Sequence, residues 1–196
     1  MLRSKSPFSQ GQKLRALPFD CNGSFDWLLA TSTHDRHIGT DNAAKLSRQL
    51  KSITKSAAKH GVSLPSEFIR LISGKDLQKH LRCAIDCSLD VAKSLLPFAS
   101  GYLVRFLSDS QGSVFWYLYI DKNRSDYCVV MSYERFDADK MVYEIEDLKE
   151  TDFGYFAESV EAFICRFWLE NEILFSEYNN TPPPNVSKKF LKLYAQ

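Results

Sequence analysis

The chain has 196 residues, 44% hydrophobic and 25% charged, with five cysteines and a net charge of +1. Those proportions suit one globular domain large enough to bury a core without disulfides or metal. No run approaches the roughly 20 apolar residues of a membrane span, and the basic start lacks the apolar stretch of a secretory signal. The scattered, odd set of cysteines reads as small buried hydrophobes, with the cytoplasm as the expected compartment. Charge is unevenly placed: residues 1–108 hold 16 Lys/Arg against 8 Asp/Glu, whereas residues 109–180 hold 6 against 16. The two halves either present oppositely charged faces or interleave and cancel.

Residues 1–25 are irregular, with a mobile start expected to about residue 12, and Phe25–Leu29 is a short apolar patch. Asp41–His60 is expected to be a helix. Leu46, Leu50, Ile53 and Ala57 form its apolar stripe, with Thr40 or Asp41 as cap and Gly61 ending it in a left-handed turn. A second helix opens at Leu64-Pro65, with Phe68, Leu71 and Ile72 inward. From Leu81 to Val91, Cys83, Ile85, Cys87 and Leu89 alternate with polar residues, the pattern of a strand with one wet face. Residues 102–107, 113–121 and 127–133 give three more strands. In the first two, Tyr102, Val104 and Phe106 oppose Leu103, Arg105 and Leu107, and Trp116, Leu118 and Ile120 oppose Phe115, Tyr117 and Tyr119. A fifth strand is expected at Met141–Ile145 and a sixth at Gly154–Ala157. Ser159 caps a last long helix with Val160, Phe163, Ile164, Phe167 and Trp168 inward, and with Glu158, Glu161, Glu170, Glu172 and Glu177 in water. Pro182–Pro184 is a stiff spacer before a short basic terminal helix.

The chain carries little recognisable chemistry. Cys83 and Cys87 lack the further ligands of an iron–sulfur or zinc site. His34 and His37 stand in a Thr-rich stretch with no third ligand nearby, and His60 and His80 read as helix-end surface residues. No nucleophile elbow, phosphate-binding glycine loop or dinucleotide fingerprint is present, so no cofactor is expected. Aromatics Phe115, Tyr117 and Tyr119 are of a kind that stacks on bases, but they belong to the acidic half, which disfavours nucleic acid.

The order of elements resembles the SMI1/KNR4, or SUKH, superfamily over roughly residues 40–178. Leu64-Pro65 with Phe68, Leu71 and Ile72 is similar to its opening signature. The strand pair around Asp109–Gly112 is similar to its central sheet, and Phe153–Phe163, with Ala157 and Ser159 at a strand-to-helix junction, to its closing one. The chain departs from the family in lacking a glycine-rich segment after the first Leu-Pro helix and in its near-neutral charge. The resemblance implies an α+β fold, a curved, mainly antiparallel sheet of five to six strands flanked by helices. The domain would be 41–178, preceded by an extension (1–40) and followed by a spacer and short helix (179–196). It also implies a non-enzymatic protein-binding module, in bacterial relatives an immunity protein that blocks a toxin domain, often a nuclease, with no membrane role. On this reading Asp109, Gln111, Tyr117, Tyr119, Asp121, Glu134 and Asp137 are the expected contact residues, aromatics at the centre and carboxylates at the rim. The alternative for Tyr117 and Tyr119 is burial under a helix. Two other functions stay open: a regulatory scaffold without a toxin partner, and a small-molecule enzyme in which His34, His37 and a carboxylate converge.

Overall fold

A computed structural model of the chain describes residues 14–40, 42–123, 126–138 and 148–194. The fold is α+β. Four helices come first: α1 (Asp26–Leu29), α2 (Ala43–Lys59), α3 (Ser66–Ser73) and α4 (Lys75–Gln78). The strands β1 (Ser88–Leu89), β2 (Leu96–Phe98), β3 (Gly101–Ser108), β4 (Phe115–Asp121), β5 (Tyr127–Ser132) and β6 (Gly154–Ala157) follow, and α5 (Val160–Asn179) and α6 (Lys188–Tyr194) close the chain. The six strands form one open antiparallel sheet. β1 and β2 share one edge of β3, and β4, β5 and β6 follow in order. The strand expected at Met141–Ile145 lies outside the described residues. No helix among the described residues is long and apolar enough to cross a membrane.

The amphipathic stripe of α2 behaves as its spacing dictates: Leu46, Ile53 and Ala57 are buried, and Gly61 follows the helix at φ 71. The residue before α2 is Asn42, whose side chain makes no capping bond. Thr40 instead accepts the His37 N–H at 2.7 Å. α5 begins where Ser159 accepts the Ala162 N–H at 3.0 Å, satisfying one of the orphan donors of the first turn.

The strand expected across 81–91 shrinks to Ser88–Leu89. Residues 82–87 turn instead: Asp86 takes a left-handed conformation at φ 54, and the Ala84 N–H is captured by Asn171 at 2.7 Å. Ile85, placed by the alternation on a buried face, is 53% exposed. A period of two in the sequence is insufficient where the backbone groups are engaged by a side chain rather than a neighbouring strand.

Both faces of the central strands are covered. Tyr102, Val104, Phe106, Trp116, Leu118, Ile120 and Val129 join the helices in one core. Leu96, Phe98, Leu103, Phe115, Tyr117, Tyr119, Cys128 and Val130 form a second core with Phe136 and Phe153. A bulge lies between Arg105 and Leu107, where Arg105 pairs with Tyr117 but Leu107 with Trp116. The extra residue puts Phe106 and Leu107 on the same, helix-facing side, correcting the strict alternation expected for Leu107.

α5 is buried around nearly its whole first half, Val160 to Leu169. Residues 14–27 cover the side facing away from the sheet: Phe19 stacks on Trp27 at 5.0 Å, and Trp27 meets Trp168 edge-on at 5.6 Å. Glu161, expected in water, is 0% exposed. It accepts the Phe25 N–H at 2.7 Å and the Trp27 indole N–H at 3.0 Å, and it also takes the Gly23 N–H. Glu170 and Glu172 are half-buried, while Glu158 and Glu177 are exposed. His80, read as a surface residue, is 3% exposed, and its Nδ1 lies 3.1 Å from the Thr31 carbonyl. Phe25, Leu28, Ile38 and Tyr194 of α6 belong to the same core as the sheet and α5.

Candidate functional site

Strand register decides which loops meet. Ser108 pairs with Phe115, Phe115 with Ser132, and Met131 with Gly154. The β3–β4 turn (109–114), the segment leaving β5 (133–135) and the 3-10 turn Glu150–Asp152 leading into β6 therefore share one end of the sheet. Asp109 builds the first of these: its carboxylate accepts the N–H groups of Ser113 at 2.7 Å and Val114 at 3.2 Å. Gly112, at φ 70, supplies the left-handed residue of the turn.

Of the seven expected contact residues, this end gathers Asp109, Gln111 and Glu134, and only Gln111 and Glu134 are exposed. Tyr117 and Tyr119 are 0% and 1% exposed, so neither is a surface contact. The cover is not a helix among the described residues but the segments on either side of 139–147: Phe153 meets the Tyr117 ring edge-on at 5.5 Å. The Tyr117 hydroxyl donates to the Glu134 carbonyl at 3.1 Å and accepts the Phe136 N–H at 2.8 Å. Tyr119 and Asp121 lie toward the opposite end, where Asp121 pairs with Gly101. Asp121, 5% exposed, accepts from Ser100 at 3.0 Å and from the Asn123 N–H at 2.8 Å. Asp137, 8% exposed, is a buried ion-pair partner. Its carboxylate takes Arg105 Nε at 2.9 Å and Nη2 at 3.1 Å, and Arg135 Nε at 2.8 Å. Arg105 also reaches Asp90, at 2.7 Å to the carbonyl and 3.0 Å to the carboxylate. Burial opposes the Asp90 charge, but hydrogen bonds from Lys45 and Gln49, with the Arg105 charge, hold its carboxyl well below the ordinary range.

The residue that sequence reasoning missed is Tyr133, 74% exposed at this end. It stands one position past β5 and next to Glu134, so the available signal was an aromatic followed at once by charge where a strand stops. The same end of the sheet holds exposed Gln111, Glu134, Glu150 and Asp152, with Lys149 an exposed cation before the 150–152 turn. The Arg135 guanidinium is committed to Asp137.

A second feature is a cleft of about 580 Å³ lined by residues 33–38, Thr40, Asn42, residues 82–84 and 86–88, and Phe175 on α5. Arg82 holds both oxygens of Glu172 at 2.7 Å and lies 4.0 Å over the Phe175 ring. His34 Nε2 approaches the same carboxylate at 3.5 Å. Burial alone would raise the Glu172 carboxyl, but hydrogen bonds from His34 and Arg82 outweigh it and hold the group below its usual value. His37 Nδ1 accepts the Gly39 N–H at 3.1 Å. A carboxylate clamped bidentately by Arg82 is fixed as an anion; it orients its neighbours rather than shuttling a proton. Among the described residues, no group of three His, Cys, Asp or Glu is arranged to hold a metal ion.

Comparisons of the chain with protein-family profiles, with curated proteins and with solved structures gave no significant match.

Proposed function

We propose that the chain is a non-catalytic protein-binding module of the SMI1/KNR4 (SUKH) type that acts as an immunity protein against a basic toxin domain. Its docking surface is the sheet end around Tyr133. The observation that carries the reading is the register that gathers an exposed aromatic with exposed Gln111, Glu134, Glu150 and Asp152 at one end of an otherwise covered sheet. An aromatic anchor with a polar, acidic surround suits the centre and rim of an interface with a cationic partner. The residues behind the resemblance also stand at structural joints that support it. Leu64-Pro65 leads into α3, the Asp109 turn joins β3 to β4, and Ala157 and Ser159 hand β6 over to α5.

The test is capture of partners by the immobilised full chain from lysate of its own cells, at low and high salt, beside Tyr133→Ala and Glu134→Lys variants of matched stability. One stoichiometric basic partner, weakened by salt and lost by about 30-fold in affinity on Tyr133→Ala, is the expected result. Several unrelated partners sharing this surface would identify a regulatory scaffold instead. No partner at either salt, or one indifferent to both variants, would overturn the proposal.

A further inference from the structure

The cleft wall at residues 83–87 carries two thiols that the binding role does not use. Cys83 is partly exposed and lines the cleft; Cys87 lines it too and is 6% exposed. Between them the chain turns at Ala84–Ile85, and Asp86, left-handed at φ 54, brings Cys87 back toward Cys83. Arg36 holds the Asp86 carboxylate at 2.9 Å. The two cysteines share the cleft wall, four positions apart across this turn. Donation from the Cys87 thiol, against burial and with help from the backbone N–H groups of Cys87 and Ile85, lowers the Cys83 thiol below its ordinary value. The same contact, with burial, raises Cys87.

We propose that Cys83 and Cys87 form a peroxide-reactive dithiol site, in which Cys83 attacks a hydroperoxide entering the cleft and Cys87 resolves the product as an intramolecular disulfide. In the first step the Cys83 thiolate forms a bond to the terminal oxygen of the hydroperoxide and the O–O bond breaks. The alkoxide or hydroxide leaves and takes a proton from water, and Cys83 becomes a sulfenic acid. In the second step the Cys87 sulfur bonds to the Cys83 sulfur and the S–O bond breaks. The hydroxide leaves with the Cys87 proton as water. The two sulfurs together lose two electrons, and the hydroperoxide gains them. An external dithiol restores the pair by exchange. Partial access for the attacking sulfur and a second, more buried thiol lining the same cleft are the features of a redox-active cysteine pair.

The molecule contains its own control. The Cys165 thiol and burial together raise Cys21, Cys165 is 0% exposed, and neither cysteine lines the cleft. The experiment treats the full chain with equimolar hydrogen peroxide, blocks remaining thiols with N-ethylmaleimide and maps the peptides by mass spectrometry. The expected product links Cys83 to Cys87 with loss of two hydrogens and reverts in dithiothreitol. In Cys87→Ser the sulfenic acid persists and dimedone traps it at Cys83. In Cys83→Ser, dimedone adducts fall by about tenfold or more. Cys83 left free while Cys21 or Cys165 oxidises first, or equal trapping in the two variants, would overturn the assignment. The native chain's peptide map decides the question even if a serine variant fails to fold.

Discussion

The pairing of Asp137 with Arg105 is the clasp that holds residues 133–137 over the second core, and its removal has a calculable cost. In Asp137→Ala the Arg105 guanidinium, 3% exposed, loses its partners at 2.9 and 3.1 Å but keeps Asp90 at 2.7 and 3.0 Å. Breaking a buried ion pair by deleting one partner costs about 3–5 kcal/mol. With half of the donors still satisfied, the low end applies, about 3 kcal/mol. For a chain of this length that is a fall in Tm of about 6–12 °C. Asp137→Asn keeps one acceptor and the volume, so it should cost about 1–2 kcal/mol. Arg135→Ala removes a partner that is 43% exposed and should cost less than about 1 kcal/mol. Urea midpoints give the ranking, and hydrogen exchange locates it: the Phe136 amide, bonded to the Tyr117 hydroxyl, should lose protection in Asp137→Ala before the β4 amides do. If Arg135→Ala costs as much as Asp137→Ala, or if Asp137→Ala is silent, the clasp argument fails.

Tyr117→Phe removes the acceptor of the buried Phe136 N–H and the donor to the Glu134 carbonyl. It should lower stability by about 2 kcal/mol in urea unfolding while leaving the near-ultraviolet spectrum native in form. Glu161→Ala strands the N–H groups of Gly23, Phe25 and Trp27. It should cost about 4 kcal/mol, with the shift in tryptophan fluorescence reporting release of Trp27. Acid sensitivity follows from Asp90 and Glu172, whose carboxyls are held below their ordinary values of 3.8 and 4.5 in the fold. The unfolded chain binds more protons in that window, so their contribution is complete above about pH 5 and lost as pH falls through the folded values. Burial lowers His80 from its ordinary 6.5, so a further loss begins as pH drops below about 6.5. Urea midpoints from pH 7 to 3 should fall progressively, and Glu172→Gln should flatten the acid limb; an unchanged limb refutes the role given to the clamp with Arg82 and His34.

The hairpin 101–121, the cap at Ser159 and the stripe of α2 were legible because each rests on local rules: period two, a short oxygen acceptor before a helix, and period 3.6. What escaped depends on contacts between distant residues. Glu161 looks solvated on a helical wheel, but its acceptors are used by residues 134 to 138 positions earlier in the chain. Tyr117 and Tyr119 alternate as a free face would, and only the return of Phe136 and Phe153 over the sheet reveals the cover. Cys83–Cys87 mimics a strand because alternation says nothing about where backbone hydrogen bonds go; Asn171, on a helix 87 positions later, takes the one at Ala84. The α+β class survived these errors because it needs the elements and their order, whereas a contact surface needs the exposure of each side chain.

The charge asymmetry along the chain resolves in the same terms. Three carboxylates of 109–180 are neutralised by the basic half: Asp137 is held by Arg105, Glu172 by Arg82 and Glu170 by Arg15. These pairs cancel at short range and contribute little to a field at a distance. The carboxylates left to steer a partner are the exposed ones, and Glu134, Glu150 and Asp152 meet at the Tyr133 end by strand register alone. On α2, by contrast, Lys45, Arg48, Lys51, Lys55 and Lys59 stay exposed, so the molecule keeps a basic helix and an acidic sheet end despite its net charge of +1. In the binding role proposed above, a cationic partner would be drawn by exposed local carboxylates rather than by the paired ones. Charge reversal at Glu134 should accordingly change its association rate far more than the same reversal at Glu177, which is exposed near the end of α5.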